Sequence, residues 1–245
     1  MQIFLSILMN LTFLGFGYIV GSLNTALLYA KFFKQKDLRE FYSKNAGATN
    51  SLRVYGKKVA LIILLIDIAK VVISVLLMKL IAQGVNNSIQ YDIDNTLGFK
   101  EVNNLESKLF LIPLLSGLGV VIGHTWPVFF NLKGGKGVAC GIGLIISINI
   151  IIFVIATIVY FSILFWKKYV SLASILTSII LIPFCFIPWI TDLPLGWMND
   201  LSVNYFWITG LIYLCVAGLI VYKHISNIKS LLNHTERKLN LFSKK

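Results

Sequence analysis

Long apolar runs fill most of this chain, and short polar segments separate them. The runs cover residues 3–30, 59–81, 109–130, 138–166, 169–190 and 203–222. A helix that crosses a membrane needs about 20 predominantly apolar residues, and each run is close to that length or longer. The alternation of apolar and polar positions that marks a barrel strand is missing. The pattern therefore predicts an all-α integral membrane protein.

One apolar run is too long for a single span. Residues 138–166 give 29 largely apolar residues before Lys167 and Lys168. A single helix would put these lysines on the opposite side from Lys133 and Lys136. Two short helices, each about 21 Å long at roughly 1.5 Å per residue, would keep them together. We favour two, because basic residues collect on the cytoplasmic side of membrane proteins, and seven transmembrane helices result.

The distribution of charge predicts the orientation of these helices. With the N-terminus outside and the C-terminus in the cytoplasm, the cytoplasmic segments hold 18 of the 22 lysine and arginine residues. Six of the ten acidic residues then lie outside. Residues 82–107 are rich in asparagine and are expected to form an external loop, with a shorter one at 191–202. Residues 223–245 form a basic cytoplasmic tail, and residues 1–245 a single membrane-embedded domain.

Composition agrees with a membrane protein and narrows its chemistry. The chain is 57% hydrophobic and 13% charged, whereas soluble domains carry about 25% charged residues. The net charge of +12 suits anionic lipid and phosphorylated substrates, so it does not require nucleic acid. The three cysteines, Cys140, Cys185 and Cys215, show no metal-ligand spacing. We expect no metal and no cofactor.

The most polar interruption is the segment GHTWPVFFNLKGGKGVACG, residues 123–141. Gly134, Gly135 and Gly137 are expected to adopt positive φ and to let the backbone approach a ligand closely. Lys136 adds a cation, and a helix that begins after Gly137 would direct backbone N–H groups at an anion. The pattern favours a phosphate site. It lacks the complete P-loop motif, and a bare turn is the alternative.

A second polar segment follows the first apolar run. Residues 42–58 read YSKNAGATNSLRVYGKK, in which Arg53 can bind a phosphate through two parallel hydrogen bonds. The uncharged and small residues that accompany it are Ser43, Asn45, Gly47, Thr49 and Asn50. A loop that merely caps the next helix is the alternative, although capping needs only one such residue.

Ionisable residues also occur inside the apolar runs. Asp67 and Lys70 lie three residues apart in the second run, where charged groups face a site or one another. A purely structural pair is an open alternative. His124 begins the Gly-His-x-x-Pro sequence ahead of the glycine-rich turn, and His224 begins the tail. Either histidine could bind a ligand or satisfy a structural hydrogen bond.

Taken together, these motifs resemble the bacterial acyl-phosphate:glycerol-3-phosphate acyltransferases of the PlsY type, over nearly the whole chain. The matching segments are Gly21-Ser22 with Ala30-Lys31, S-x-N-x-GATN-x-x-R from Ser43 to Arg53, D-x-x-K at Asp67 and Lys70, GH-x-x-P-x-F-x-x-x-GGKGVA from Gly123 to Ala139, Y-x-SLASI from Tyr169 to Ile175, and H-x-x-NIK-x-LL…TE from His224 to Glu236.

This resemblance implies seven spans and transfer of an acyl group from acyl phosphate to the 1-position of glycerol 3-phosphate. It implies a core set of Ser43, Arg53, Lys136 and Asn227. The residues expected to bind substrate or phosphate are Asn45, Gly47, Thr49, Asn50, Lys70, His124, Gly134, Gly135, Gly137, Ser171 and His224. The expected partners are the two substrates and membrane lipid. The expected location is the bacterial plasma membrane, with a monomer whose active site faces the cytoplasm.

The chain departs from the family pattern at several positions. Tyr42 stands where the family commonly has Gly, Lys168 replaces an Arg, and Ile225 replaces the Arg after the tail histidine. The external loop of residues 82–107 is also long. These departures leave the serine, Arg53 and the GGKG turn in place.

Two other functions fit parts of the pattern. A transporter for organic phosphates would explain a basic pocket and intramembrane charges, but such proteins often carry repeated halves, and no second copy of the GATN or GGKG segment is present. A CDP-alcohol phosphotransferase needs a run of metal-binding aspartates, and Asp67 is the one aspartate within the apolar runs.

Overall fold

The computed structural model describes residues 1–33, 35–97, 108–191 and 205–239, and the regular elements among them are all helical. The α-helices are α1 (Gln2–Ser22), α2 (Thr25–Phe32), α3 (Ala48–Val54), α4 (Lys57–Leu97), α5 (Leu114–Thr125), α6 (Val138–Ile148), α7 (Ile150–Lys167), α8 (Val170–Ile180), α9 (Pro188–Thr191), α10 (Phe206–Lys223) and α11 (Ile225–Leu232). Short 3-10 turns lie at Leu38–Glu40, Val128–Phe130 and Pro183–Phe186.

Within the described ranges, four helices are long and apolar enough to cross a membrane by length and composition. They are Gln2–Ser22, Lys57–Ile89 within α4, Ile150–Lys167 and Phe206–Lys223. Three shorter apolar segments accompany them, at Leu114–Phe130, Val138–Ile148 and Val170–Phe186. The prediction of a helical membrane protein is confirmed.

The close packing of α1 against α5 rests on glycines spaced four apart on both helices. A side chain at Gly17 or Gly21 of α1 would collide with carbonyl oxygens of α5, at 1.9 and 2.2 Å. A side chain at Gly119 or Gly123 of α5 would collide in turn with carbonyl oxygens of α1, at 2.2 and 2.1 Å. Such small-residue interfaces let helix backbones approach closely inside a membrane. This interface fixes the end of α5 that carries His124.

The long apolar run after the GGKG turn divides into two helices at Asn149. The Asn149 backbone is extended, and its buried side chain accepts a hydrogen bond from the N–H of Ile151 at 2.6 Å. Non-helical backbone at membrane depth is tolerated where protein surrounds it. The division into two helices agrees with the expectation, but α6 has 11 residues and α7 has 18, so the length of about 21 Å expected for each is wrong.

The far end of α7 returns to the side on which α6 begins. Lys168, directly after α7, accepts a hydrogen bond through its carbonyl oxygen from the N–H of Leu239 at 2.7 Å. The same tail segment reaches Lys136, just before α6, through Asn227. Because both ends of the pair contact one segment of the chain, Lys136 and Lys168 lie on the same side of the molecule. The number of spans and their orientation stay predictions.

Two sequence-based boundaries are wrong. The first apolar run does not form one helix over residues 3–30, because the chain breaks at Leu23 and Asn24 caps α2 by accepting from the N–H of Leu27 at 3.1 Å. Residues 82–97 are not a loop, because α4 continues to Leu97 and reaches about 60 Å over its 41 residues. The rest of the predicted external loop, and residues 192–202 of the second one, lie outside the described residues.

Candidate active site

A buried ionic network joins α4 to α5. The Asp67 carboxylate lies 2.8 Å from the Lys70 ammonium and accepts a hydrogen bond from the Thr25 hydroxyl at 2.8 Å. His124 Nδ1 lies 3.2 Å from the Lys70 nitrogen and 3.6 Å from Asp67 Oδ1. Asp67 is 1% exposed and His124 2% exposed. Buried charges of this kind must be compensated, and here each charge has a partner.

The same network carries Cys140 nearby. One ligand atom each from Asp67, His124 and Cys140 lies within 4.8 Å of the others. The Lys70 ammonium, at 2.8 Å from the Asp67 carboxylate, already brings the positive charge that this group needs. The absence of a metal stays a prediction.

The GGKG turn rests directly on this network. The N–H of Gly134 donates to the carbonyl oxygen of Thr125 at 3.3 Å, and the N–H of Gly135 donates to that of His124 at 3.0 Å. A side chain at Gly135 would begin 2.0 Å from His124 Nε2, so only glycine fits against the ring. The GGKG turn therefore packs directly on the His124 end of the buried network.

The reason for glycine differs along the turn. Gly137 has φ of 81° and caps the start of α6, as predicted. Gly134 and Gly135 do not have positive φ, so the prediction of left-handed backbone at these two positions is wrong. They are needed for space, because a side chain at Gly134 would begin 2.1 Å from the carbonyl oxygen of His124.

Asn50 holds the first polar loop in shape. Its buried amide nitrogen donates to the carbonyl oxygens of Leu38 at 2.8 Å, Phe41 at 3.1 Å and Asn45 at 3.1 Å. Its side-chain oxygen accepts from the N–H of Ser43 at 3.4 Å. One asparagine thus fixes the loop on which Ser43 lies, and its hydrogen-bonding groups face backbone.

A chain of polar contacts links the GGKG turn to the tail. Lys136 donates a short hydrogen bond to the side-chain oxygen of Asn227. The Asn227 amide donates to Glu236 Oε1 at 2.8 Å, and the Ser171 hydroxyl donates to the same oxygen at 2.7 Å. Because the Asn227 amide nitrogen donates to Glu236, the side-chain oxygen of Asn227 is turned toward Lys136. These contacts bring the GGKG turn, α8 and α11 together.

Burial lowers the pKa of two side chains near the GGKG turn, those of Lys136 and His224. Burial lowers the pKa of Lys136 to about 8; Glu236 opposes this shift, while the charges of Arg53 and Lys223 add to it. Burial, followed by the nearby Lys136 charge, lowers the pKa of His224 to about 4. His224 is therefore neutral at pH 7. Its Nδ1 contacts the carbonyl oxygen of Ile220 at 2.8 Å, which leaves Nε2 as an acceptor.

Two cavities meet at Lys136. The polar vestibule, of about 640 Å³, is bordered by Arg39, Lys44, Asn131, Lys133, Gly134 and Lys223. The apolar cavity, of about 600 Å³, extends from Arg53 down between α4, α6, α7 and α8, along Leu64, Ile145, Phe153, Ala156 and Leu181. Ser43, Asn45 and Lys136 line both cavities. A polar ligand and an amphipathic ligand would meet at these residues.

The mouth of the apolar cavity has an excess of positive charge, because Arg53 and Lys136 line it beside the Glu236 carboxylate, which is hydrogen-bonded to Ser171 and Asn227. Arg53 lines this cavity and forms no ion pair with a carboxylate in the described part of the chain. Lys136 has Asn227 as its hydrogen-bond partner, which is uncharged. Unpaired cations beside a cavity are suited to a multiply charged anion.

Most residues singled out from the sequence line one cavity or both. These are Ser43, Asn45, Gly47, Thr49, Asn50, Arg53, His124, Gly134, Lys136, Gly137, Ser171, His224 and Asn227. Lys70 and Gly135 do not line either cavity, because Lys70 is paired with Asp67 and Gly135 packs on His124. Glu236, which accepts hydrogen bonds from Ser171 and Asn227, is a residue that the sequence motifs did not assign to the site. Its spacing of nine residues from Asn227 was the available signal.

Comparisons with known proteins agree with this geometry. The family model for glycerol-3-phosphate acyltransferase matches residues 11–234. A glycerol-3-phosphate acyltransferase of Mycoplasmopsis synoviae (strain 53) is 44% identical over 239 residues, covering 98% of each chain. One from Mycoplasmopsis agalactiae is 40% identical over 248 residues, covering 97% of each.

Two solved structures are also similar. Both are crystal structures of PlsY, an integral membrane glycerol 3-phosphate acyltransferase, and both are 28% identical to this chain. The glycerol 3-phosphate form superposes with a TM-score of 0.69, over 94% of this chain and 96% of the other. The lysophosphatidic acid form gives 0.67, over 94% and 95%.

Proposed function

The chain belongs to the glycerol-3-phosphate acyltransferase family, and on that basis we propose that it transfers a fatty acyl group from acyl phosphate to the 1-hydroxyl of sn-glycerol 3-phosphate. The products are lysophosphatidic acid and inorganic phosphate. The observation that carries the proposal is the meeting of a polar and an apolar cavity at Ser43, Asn45 and Lys136. Membership of this family favours the enzyme over the transporter.

Each cavity suits one substrate. Glycerol 3-phosphate is small and wholly polar. The cationic side chains around the polar vestibule, which include Lys44, Lys133 and Lys223, outnumber its acidic residues Asp37 and Glu40 and suit the phosphate. The acyl donor has a long apolar chain, which fits the apolar walls between α4, α6, α7 and α8, and an anionic head. The head then lies near Arg53 and Lys136, where the acceptor hydroxyl can reach the carbonyl carbon.

The reaction needs positioning and charge neutralisation more than a nucleophile. The acceptor oxygen attacks the acyl carbon, the bond from that carbon to the phosphate oxygen breaks, and phosphate leaves with the electron pair. The hydroxyl proton passes to a phosphate oxygen, since phosphate has a pKa of about 6. Arg53 and Lys136 stabilise the charge on phosphate, while Ser43 and Asn227 orient donor and acceptor.

No covalent acyl-enzyme is expected on this route. A nucleophilic serine needs an adjacent base, and no described histidine hydrogen-bonds the Ser43 hydroxyl. Cys140 is fully buried below the turn. Intact-mass measurement after incubation with acyl phosphate alone tests this expectation. A stoichiometric gain of one acyl group, discharged by glycerol 3-phosphate, would contradict direct transfer.

The assay that decides the donor uses purified protein in detergent with glycerol 3-phosphate. Acyl phosphate and acyl-CoA of the same chain length are supplied side by side, and lysophosphatidic acid is measured. We expect product from acyl phosphate alone, because the cavity mouth offers cations to a phosphate leaving group. Product from acyl-CoA alone would overturn the proposed donor.

The proposal includes a membrane arrangement with seven spans formed by α1, α4, α5, α6, α7, α8 and α10, as one domain that works as a monomer. The N-terminus lies outside, and both cavities open to the cytoplasm of a bacterial plasma membrane. Single cysteines tested with an impermeant reagent from outside should react at Asn87 but not at Lys57 or Lys229. External labelling at Lys168 would contradict the arrangement.

A further inference from the structure

The tail after α11 crosses the mouth of the apolar cavity as an anchored strap, residues 233–239. At its start, the N–H groups of Thr235 and Glu236 donate to the carbonyl oxygen of Ser230 at 2.8 and 3.1 Å. At its end, the N–H of Leu239 donates to the carbonyl oxygen of Lys168 at 2.7 Å. In between, the Glu236 carboxylate accepts from α8 and α11. The strap is therefore fixed on both sides of residue 237.

Arg237 projects from the strap beside the phosphate end of that cavity. It lines the apolar cavity, as Arg53 and Lys136 do, and it does not border the polar vestibule. Among the described residues, no carboxylate pairs with its guanidinium. The guanidinium carbon lies 5.9 Å from the centre of the Tyr42 ring. An aromatic face can hold a guanidinium while the N–H groups at its edge stay available to an anion.

Tyr42 has an unusual backbone for a bulky residue. Its φ of 47° lies in the left-handed region, where glycine is favoured and an aromatic residue is strained. This is the position at which the chain departs from the family pattern of glycine. The side chain that replaces glycine is the one that faces Arg237. The contact gives a reason for tyrosine at a strained position.

We propose that Arg237 is a further binding residue for the phosphate of the acyl donor, and that Tyr42 is the positioning residue that holds its guanidinium at the cavity mouth. The assignment to the donor follows from the cavities, because Arg237 borders the one with apolar walls and not the polar vestibule. With Arg53, Lys57 and Lys136, it is one of four cationic side chains among the described residues that line that cavity, while Glu236 is hydrogen-bonded to Ser171 and Asn227. The inference rests on the proposed function.

The test measures the KM of each substrate in purified Arg237→Gln. We expect the KM for acyl phosphate to rise about tenfold, as one charge-assisted contact is lost, and the KM for glycerol 3-phosphate to stay within about twofold. Tyr42→Phe should behave like the unchanged protein, since the ring is retained, whereas Tyr42→Gly should raise the donor KM by a few-fold. A higher KM for glycerol 3-phosphate with an unchanged donor KM would overturn the assignment.

Lys238→Gln is the matched control. Lys238 is the next residue, its ammonium also lies over a tyrosine ring, that of Tyr169 at 5.7 Å, and it does not line either cavity. We expect its donor KM to be unchanged. An equal rise of the KM for acyl phosphate in Lys238→Gln and Arg237→Gln would show a general effect of surface charge and overturn a specific role for Arg237.

A binding measurement separates this inference from the proposed function. Hexadecyl phosphate, which has the head and tail of the donor but cannot transfer an acyl group, is titrated into unchanged protein and Arg237→Gln in detergent. We expect about tenfold weaker binding to the variant. Equal binding would overturn the role of Arg237 even if acyl transfer is observed. Weaker binding without any transfer activity would retain the anion site and reject the acyltransferase function instead.

Discussion

The buried network of α4 and α5 and the mouth of the apolar cavity both concentrate charged side chains, but they differ in how the charge is compensated. In the network, the Lys70 ammonium lies 2.8 Å from the Asp67 carboxylate, and His124 completes the group. At the mouth, Arg53 and Arg237 have no carboxylate partner among the described residues. The charges of the network therefore stabilise the packing of α4 on α5, whereas the guanidinium groups at the mouth are available to bind an anionic ligand.

The two regions are coupled through the GGKG turn. The turn packs on His124 through Gly135 and offers Lys136 to the cavities two residues before α6. Changes to the network should therefore act first on stability and only then on activity. Changes at the mouth should act on activity with the fold intact.

The largest loss of stability is expected for Asp67→Ala. Removing one partner of a buried ion pair leaves the remaining charge uncompensated and costs about 3–5 kcal/mol. The denaturation midpoint in detergent should fall accordingly, as followed by circular dichroism. An unchanged midpoint would mean that Lys70 and His124 are compensated without the carboxylate, and the contrast between the two regions would fail.

At the mouth, Arg53→Ala should lower turnover at least tenfold. Each lost hydrogen bond to a charged group is worth about 1.5–3 kcal/mol, and a guanidinium can make two to one phosphate. The denaturation midpoint should stay that of the unchanged protein, because no described carboxylate pairs with Arg53. Arg53→Lys keeps the positive charge but loses the pair of parallel hydrogen bonds, so its turnover should lie between that of Arg53→Ala and that of the unchanged protein. Near-normal turnover and KM in Arg53→Ala would remove Arg53 from the site.

The pH dependence of kcat/KM should report Lys136. Its lowered pKa of about 8 means that the ammonium is present below that pH and is lost as the pH rises through it. Since the charged form binds phosphate, kcat/KM should fall on the alkaline side of about pH 8. Lys136→Arg should move the fall to higher pH. A fall that stays near pH 8 in that variant would identify a different titrating group.

The smallest loss of stability is expected at a partly exposed ion pair. Asp37 lies 2.7 Å from Arg39, with side-chain exposures of 32% and 28%, respectively. Surface pairs of this type contribute about 1 kcal/mol or less. Asp37→Asn should shift the denaturation midpoint far less than Asp67→Ala does. Equal shifts would show that burial is not what separates the two pairs.

The sequence alone determined the class of protein and much of the chemistry of its site. Apolar runs of helical length admit few structures in a membrane, because every backbone group must be satisfied within the segment. The helix start after Gly137 and the return of the chain by Lys168 followed from glycine and lysine positions. The four-residue spacing of Gly17 with Gly21, and of Gly119 with Gly123, is a further sequence signal, because small residues at this spacing mark close helix packing in membranes.

Only the tertiary structure decided which charges are paired. Asp67 and Lys70 were read from their spacing, but whether they face each other or a ligand depended on where α5 places His124, more than fifty residues away. The role of Gly135 depended on the same ring. The strap could not be predicted, because charge alone describes residues 223–245 as a basic cytoplasmic tail, whereas Glu236 acquires its partners from α8 and α11. Helix formation is local in sequence, while compensation of charge depends on packing between distant segments.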